Sequence, residues 1–355
     1  MKRSLITLLL LAVCGSAAFS QARFFTGSSI DYIFDNHEFD PSGGQYIPSE
    51  TIHFVKLSPV LGWEFAQTGN VSHKVVFGVD VVRQMGTAVE ALKDVIADVP
   101  VYYQASSVDG GKVFCAAAGS YPRRFVKGAY SEALMSEETI ETDFNMDGMY
   151  LSYDKGSFFT ELALDWMGKY GATRKERFQI LSYGAWKLGS VLSFGWAGSF
   201  YHYAESVAAP GVVDNHHLQV FGKLDFAADA PDVELSLKLS GIASYQKDRP
   251  RDDLRLPYGG EAEAVFGWKS LGIRNVTAYT GDMVPFYRDL DAAGNKYGNM
   301  LYRGSKFYKG FYDLAELYWM PNITRKLDLK VSLRFHYGAA GFLGSEQRVA
   351  LVFDI

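Results

Sequence analysis

Only two cysteines occur in the 355 residues, Cys14 and Cys115, and Cys14 falls in an N-terminal stretch that reads as a cleavable leader. With Cys115 alone, the mature chain forms no internal disulfide, so its stability rests on something else. Beyond residue 20, no apolar run approaches the roughly 20 residues of a membrane-crossing helix. Basic charge is not in excess. The 35 Lys and Arg face 40 Asp and Glu, and loss of Lys2 and Arg3 leaves 33 basic residues and a net charge of −7. No basic stripe marks a nucleic-acid partner. Helical periodicity is scarce too. Only 88–99, AVEALKDVIADV, spaces Ala88, Leu92, Val95 and Val99 at helical intervals, which predicts a short helix packed in a loop.

What is present begins at the N-terminus. MKRSLITLLLLAVCGSAAFSQA has a short basic start, an apolar run from Leu5 to Val13, and then small residues. This is the pattern of a secretory signal peptide, with cleavage placed after Ser20 and a single domain over 21–355. A lipoprotein leader would use Leu11-Ala12-Val13-Cys14, but the bulky Val13 argues against it.

The mature chain is dominated by two-residue alternation. In 326–338, KLDLKVSLRFHYG, Leu327, Leu329, Val331, Leu333, Phe335 and Tyr337 alternate with Asp328, Lys330, Ser332, Arg334 and His336. Such a segment is a strand with one apolar and one polar face. Similar segments recur at 215–226, 233–245 and 261–269 and at the C-terminus; Val75, Phe77 and Val81 oppose Asp80, and Leu162 and Trp166 oppose Glu161 and Asp165. About sixteen strands (14–18) are expected from this rhythm. Their connections alternate between short ones, such as QTGN (67–70), DGG (109–111), DKGS (154–157) and KSLG (269–272), and long ones near 35–50, 84–100, 121–146, 167–175, 204–214, 246–259, 281–309 and 338–345. A secreted β-sandwich or solenoid has no reason to sort its connections this way. An all-β, up-and-down antiparallel transmembrane barrel does, with short periplasmic turns and long extracellular loops.

Tryptophans point the same way. Trp63, Trp186, Trp268 and Trp319 each lie within a few residues of a short turn. A ring of indoles at one level is what an interface belt requires. The phase of Trp319 is ambiguous, because Asp313 and Glu316 compete for the outward side. On this reading the polar faces line an aqueous lumen and the leucines meet lipid.

Leader, strand rhythm, loop asymmetry and the terminal strand QRVALVFDI together resemble the porin-like outer-membrane barrels of Gram-negative bacteria over 21–355. The chain departs from the usual pattern by ending in Ile355 rather than an aromatic. GSYPRRFVKGAYSEALMS and ELALDWMGKYGATRKERF also resemble segments of a Bacteroidota barrel group to which no activity attaches. The porin resemblance implies a third loop folded into the lumen. There, 121–146 would set Arg123, Arg124 and Lys127 across a constriction from acids including Glu137 and Glu138. The bland alternative is a solvated surface loop. Glu161, Asp165, Lys238, Glu261, Glu263, Lys330 and Arg334 have lumen parity.

Other chemistry is thin. Asp143-x-Asn145-x-Asp147-Gly148 matches the opening of a calcium loop, but its twelfth position is Asp154 and a strand follows, so a turn entering a strand is the plainer reading. Ser332 and His336 share a face but lie about 13 Å apart on a strand, too far for a nucleophile and its base. No enzyme signature and no cofactor are expected. The expected function is passive or weakly selective diffusion of small hydrophilic solutes. The alternative is a non-conducting barrel serving as a scaffold or surface-attachment protein. Expected partners are outer-membrane lipid, the barrel-assembly machinery and the permeating solutes, with a homo-oligomer possible but unspecified by any residue pattern.

Overall fold

A computed structural model describes residues 20–40, 49–67, 70–172, 175–204, 211–288 and 309–355. The expected leader, 1–20, lies outside the described residues except for Ser20, where the first strand begins. Sixteen antiparallel strands close on themselves. They are β1 (Ser20–Phe39), β2 (Thr51–Gln67), β3 (Val71–Gly78 continuing as Asp80–Gln84), β4 (Ile96–Asp98 and Val101–Asp109), β5 (Lys112–Pro122), β6 (Asn145–Asp154), β7 (Phe158–Gly168) and β8 (Glu176–Leu188). The second half comprises β9 (Leu192–Ala204), β10 (Val212–Asp225), β11 (Val233–Asp248), β12 (Asp253–Arg255 and Tyr258–Trp268), β13 (Leu271–Thr280), β14 (Gly310–Trp319), β15 (Leu327–Gly338) and β16 (Gly341–Asp354).

The interruptions in β4 and β12 fall at Pro100 and Pro257, which have no N–H to give the ladder. The chain stays in register across both: Ser244 N–H still donates to Pro257, and Gly78 N–H to Pro100. Closure is made by β1, which pairs Tyr32 with Val55 of β2 on one side and with Leu351 of β16 on the other. With no free edge, the ladder N–H groups can be paired within the sheet rather than by water, as a bilayer demands.

Alternation sorts the side chains as an inside-out core. On β15, Ser332, Arg334 and His336 are buried toward the lumen, whereas Leu333 and Tyr337 are exposed on the outer wall. Aromatic rings collect at the two ends of the exterior. At the short-turn end, Phe158 stacks on Trp186 at 4.8 Å, Trp186 on Phe194 at 5.1 Å, and Phe24 meets Trp63 edge-on. Trp268 and Trp319 are exposed at the same end. At the other end, Trp166 stacks on Phe178, and Phe178 on His202. The ambiguity at Trp319 resolves: it points outward with Asp313, and Glu316 points inward, fully buried. Outward Asp313 accepts hydrogen bonds from Asn275 and Thr277 on the neighbouring strand.

Three details differ from the sequence reading. The last connection is not long. Gly338 pairs with Gly341 across Ala339 and Ala340, and Gly341 takes a φ of +117° that only glycine adopts readily. The long connection expected at 246–259 shrinks to 249–252, because β11 and β12 stay paired as far as Asp248 and Asp253. The helix expected at 88–99 is a single 3₁₀ turn, Leu92–Asp94, followed at once by strand. Its apolar residues have no core beside them; Leu92 is 70% exposed.

A lumen crossed by the third loop

The third long connection, 123–144, folds inward and touches the wall almost all the way round. Its path starts at Arg123, buried beneath Tyr121, whose guanidinium bonds Asp143 at 2.6 Å and Asp165 of β7 at 2.7 Å. The backbone N–H groups of Lys127 and Gly128 then donate to the Glu161 carboxylate at 2.9 and 2.8 Å, and Tyr130 and Tyr150 add their hydroxyls to it. Gly128 lies so close that a Cβ would meet the Tyr183 ring at 2.5 Å. Farther round, Lys238 of β11 donates to the Ala129 carbonyl, and the Ser131 hydroxyl donates to Glu261 of β12.

The loop returns through a helix, α1 (Glu137–Thr142). Ser136 caps it by accepting from Thr139 N–H, and Glu137 and Glu138 sit in its first turn, where acids are favoured. Glu137 contacts both Arg334 of β15 and Arg348 of β16, and Glu141 contacts Arg348. Burial raises the Glu137 pKa, but Arg334 and Arg348 overcome that and hold it well below the usual carboxylate range. At Asp143 the balance goes the other way: burial pushes its carboxyl up despite Arg123. Burial likewise raises the Tyr130 hydroxyl, with the Glu161 charge adding to it. Finally Phe144 packs on Phe54 of β2 at 5.8 Å beside Ile33 and Val82, with the Lys56 ammonium 4.3 Å from its ring.

One half of the lumen is filled. Ala133 and Leu134 of the third loop meet Met283, Val284 and Phe286 of the connection after β13 in a buried apolar cluster with Tyr201, Val213, Ile242 and Leu314. Ser244 donates to the Met283 carbonyl at 3.0 Å. Among the described residues, the other half leaves open space. A cavity of about 220 Å³ lies between β1–β4 and the third loop, lined by Asp31, Lys56, Asp80, Arg124 and Glu141. It meets a larger one of about 700 Å³ toward the long loops at Phe54 and Phe144. Toward the short turns it meets one of about 390 Å³, at Glu141, Ala350 and Val352.

A closed sheet with an apolar exterior, two aromatic bands and a polar, loop-crossed interior is a recognisable arrangement, and comparison with solved structures finds it. OmpT, an outer membrane protein of Vibrio cholerae in its trimer form, superposes over 95% of this chain and all of its own, with a TM-score of 0.55 at 8% identity. Its form lacking loop L8 gives 0.53 at 10% identity over the same shares. A mutant of the Rh. blastica porin aligns over 94% of this chain and 100% of its own, at 11% identity and a TM-score of 0.48. The chain folds as a porin-like outer-membrane β-barrel. At such identities the likeness is one of fold. No protein-family model matches the sequence, and comparison with curated proteins finds no match.

In this porin-like barrel, the residues of lumen parity do point inward. Glu161, Asp165, Lys238, Glu261 and Arg334 are buried against the third loop or the wall charges, and Glu263 and Lys330 are partly open. Among the five residues expected at the constriction, the structure divides the roles. Arg123 is a fastening inside the wall, Arg124 is half-exposed and lines the central cavity, and Lys127 is exposed. Glu137 is the contact across the lumen, and Glu138 is buried in α1. Glu137 and Glu141 therefore face arginines of the wall, while Asp143 pairs with the loop's own Arg123. Asp143, Asn145 and Asp147 line one cavity, but among the described residues they do not form a close cluster of ligand atoms. Asp143 is engaged by Arg123, Asn145 donates to Asp80 and Asp98, and Asp147 lends its N–H to Asp165. Sequence reading missed Arg348, Glu346, Asp35 and His37, which meet only through strand pairing.

Proposed function

We propose that this barrel is a narrow diffusion channel for small hydrophilic solutes in the outer membrane of a Gram-negative cell, delivered there by its leader. The observation that carries the proposal is the run of three adjoining cavities along β1–β4 and β16, from the long loops past Phe54 and Phe144 to the short turns. In its central part charged groups of both signs, Asp31, Lys56, Asp80 and Arg124, stand among apolar ones such as Ile33, Phe54, Val60 and Phe144. Charges of both signs offer contacts to hydrated solutes and give weak ionic preference. The filled half limits the bore, so low conductance is expected. Reconstitution of the purified protein in liposomes, with swelling rates read for sugars of increasing size, tests this. Swelling by the smallest polyols that falls to background at disaccharide size supports it; none at any size contradicts it.

A second reading has its own support. The apolar cluster joining Leu134, Met283 and Phe286 is what a permanently closed barrel would use, and it fits a scaffold or attachment protein. Absence of swelling together with recovery of a defined surface partner would favour it. No catalytic role is part of either reading.

A further inference from the structure

We propose a binding site for a divalent transition-metal ion on the lumen wall, formed by Asp35 and His37 of β1 and Glu346 of β16, with His336 of β15 adjoining. The inference does not depend on whether the barrel conducts. Asp35 and His37 are two positions apart and so share the lumen face; β1–β16 pairing sets His37 directly opposite Glu346. Their donor atoms already lie close. His37 Nε2 is 3.2 Å from Asp35 Oδ2 and 3.8 Å from Glu346 Oε1, and all three ligand atoms lie within 4.8 Å of one another. Ligands of one ion at about 2.1 Å stand roughly 3.4 Å apart in a tetrahedral site, so little movement is needed. His336 Nε2, 3.5 Å from Glu346 Oε1, is placed to supply a fourth donor.

Two further observations point to a cation here. Asp35 and His37 are 4% and 3% exposed, yet among the described residues Asp35 Oδ1 and His37 Nδ1 have no hydrogen-bond partner. Among the described residues charge is also out of balance: Asp35, Glu137, Glu141, Glu263, Glu316 and Glu346 share Arg274, Lys330, Arg334 and Arg348, six carboxylates against four cations. A divalent ion would offset that difference. Imidazole mixed with carboxylate suits Zn²⁺ and its first-row neighbours better than Ca²⁺ or Mg²⁺, which prefer oxygen alone. An ion drawing on Asp35 and Glu346 would leave Arg334 and Arg348 freer for Glu137 and Glu141, so metal would tighten the third loop.

The test uses the untagged, refolded full barrel, stripped with EDTA and titrated with ZnCl₂ by calorimetry, with Co²⁺ absorption as a second readout of coordination. One Zn²⁺ per chain is expected. Affinity should fall at least about tenfold in His37→Ala and in the near-isosteric Asp35→Asn, and stay unchanged in His73→Ala, whose ring lies on the outer wall near the short turns. Heat-modifiable gel mobility confirms that each variant is folded. No Zn²⁺ uptake by the wild-type barrel, or uptake equal in all folded variants, overturns the proposal.

Discussion

Arg334 of β15 reaches Glu137 at the start of α1, joining positions 197 apart in the chain across the interior of the barrel. The same guanidinium holds Glu316 at 3.1 Å and Glu346 at 3.3 Å. Arg348 repeats the arrangement with Glu137, Glu141 and Asp35. The third loop is therefore latched to the wall at its far side as well as rooted at Arg123.

Removing the latch should free the loop without opening the barrel. Glu137→Gln deletes a charge-assisted contact to two arginines, worth about 2 kcal/mol for a partly exposed partner. Limited trypsin digestion should then cut within 123–144 several times faster than in the wild type, with unchanged heat-modifiable mobility. Equal cutting rates would show that α1 is held by other contacts.

The latch also sets an acid limit. The folded pKa of Glu137 lies below its ordinary value near 4.5, so its contribution is complete above that value. It is lost as pH falls from there toward the lowered pKa. Protection of the third loop from pepsin, an acid protease, should therefore persist at pH 4 and decline only in stronger acid. Loss of protection already at pH 5 would count against this.

The sequence carried the barrel plainly and the interior poorly, for a physical reason. Lipid imposes a strict two-residue rhythm, so 326–338 reads as a strand at sight, and the tryptophan ring near the short turns is visible by spacing alone. Contacts inside the lumen obey no local period. Asp35, Glu346 and Arg348 meet because β1 closes on β16, which no short window shows. The helix α1 had a readable signal in Ser136 followed by Glu137 and Glu138, but at six residues it is too short for periodicity to show. The end hairpin is not legible in the sequence, because Gly338 and Gly341 read as loop composition although they bracket a two-residue turn.

Phe144 and Phe54 line both the central and the outer cavity, with ring centroids 5.8 Å apart. Phe144→Ala should raise single-channel conductance in planar bilayers severalfold, by removing side-chain volume where the two spaces meet. Unchanged conductance would place the permeation path elsewhere.

Leu134 is 2% exposed at the centre of the apolar cluster. Its change to Ala should cost about 2–4 kcal/mol of stability against urea in detergent or bilayer, as for buried leucines elsewhere. A loss below about 0.5 kcal/mol would mean that the filled half of the lumen is loosely packed.

Neighbouring positions on one strand provide the most direct test of the inside-out sorting on which everything else rests. In a Cys115→Ser background, single cysteines at Lys330 and Leu333 are compared in proteoliposomes. Lys330→Cys should react with a membrane-impermeant maleimide through the bore. Leu333→Cys should resist that reagent and, once carrying a fluorophore, be quenched by nitroxide lipid. The opposite pattern, with Leu333→Cys reactive in water and Lys330→Cys quenched by lipid, would contradict the account.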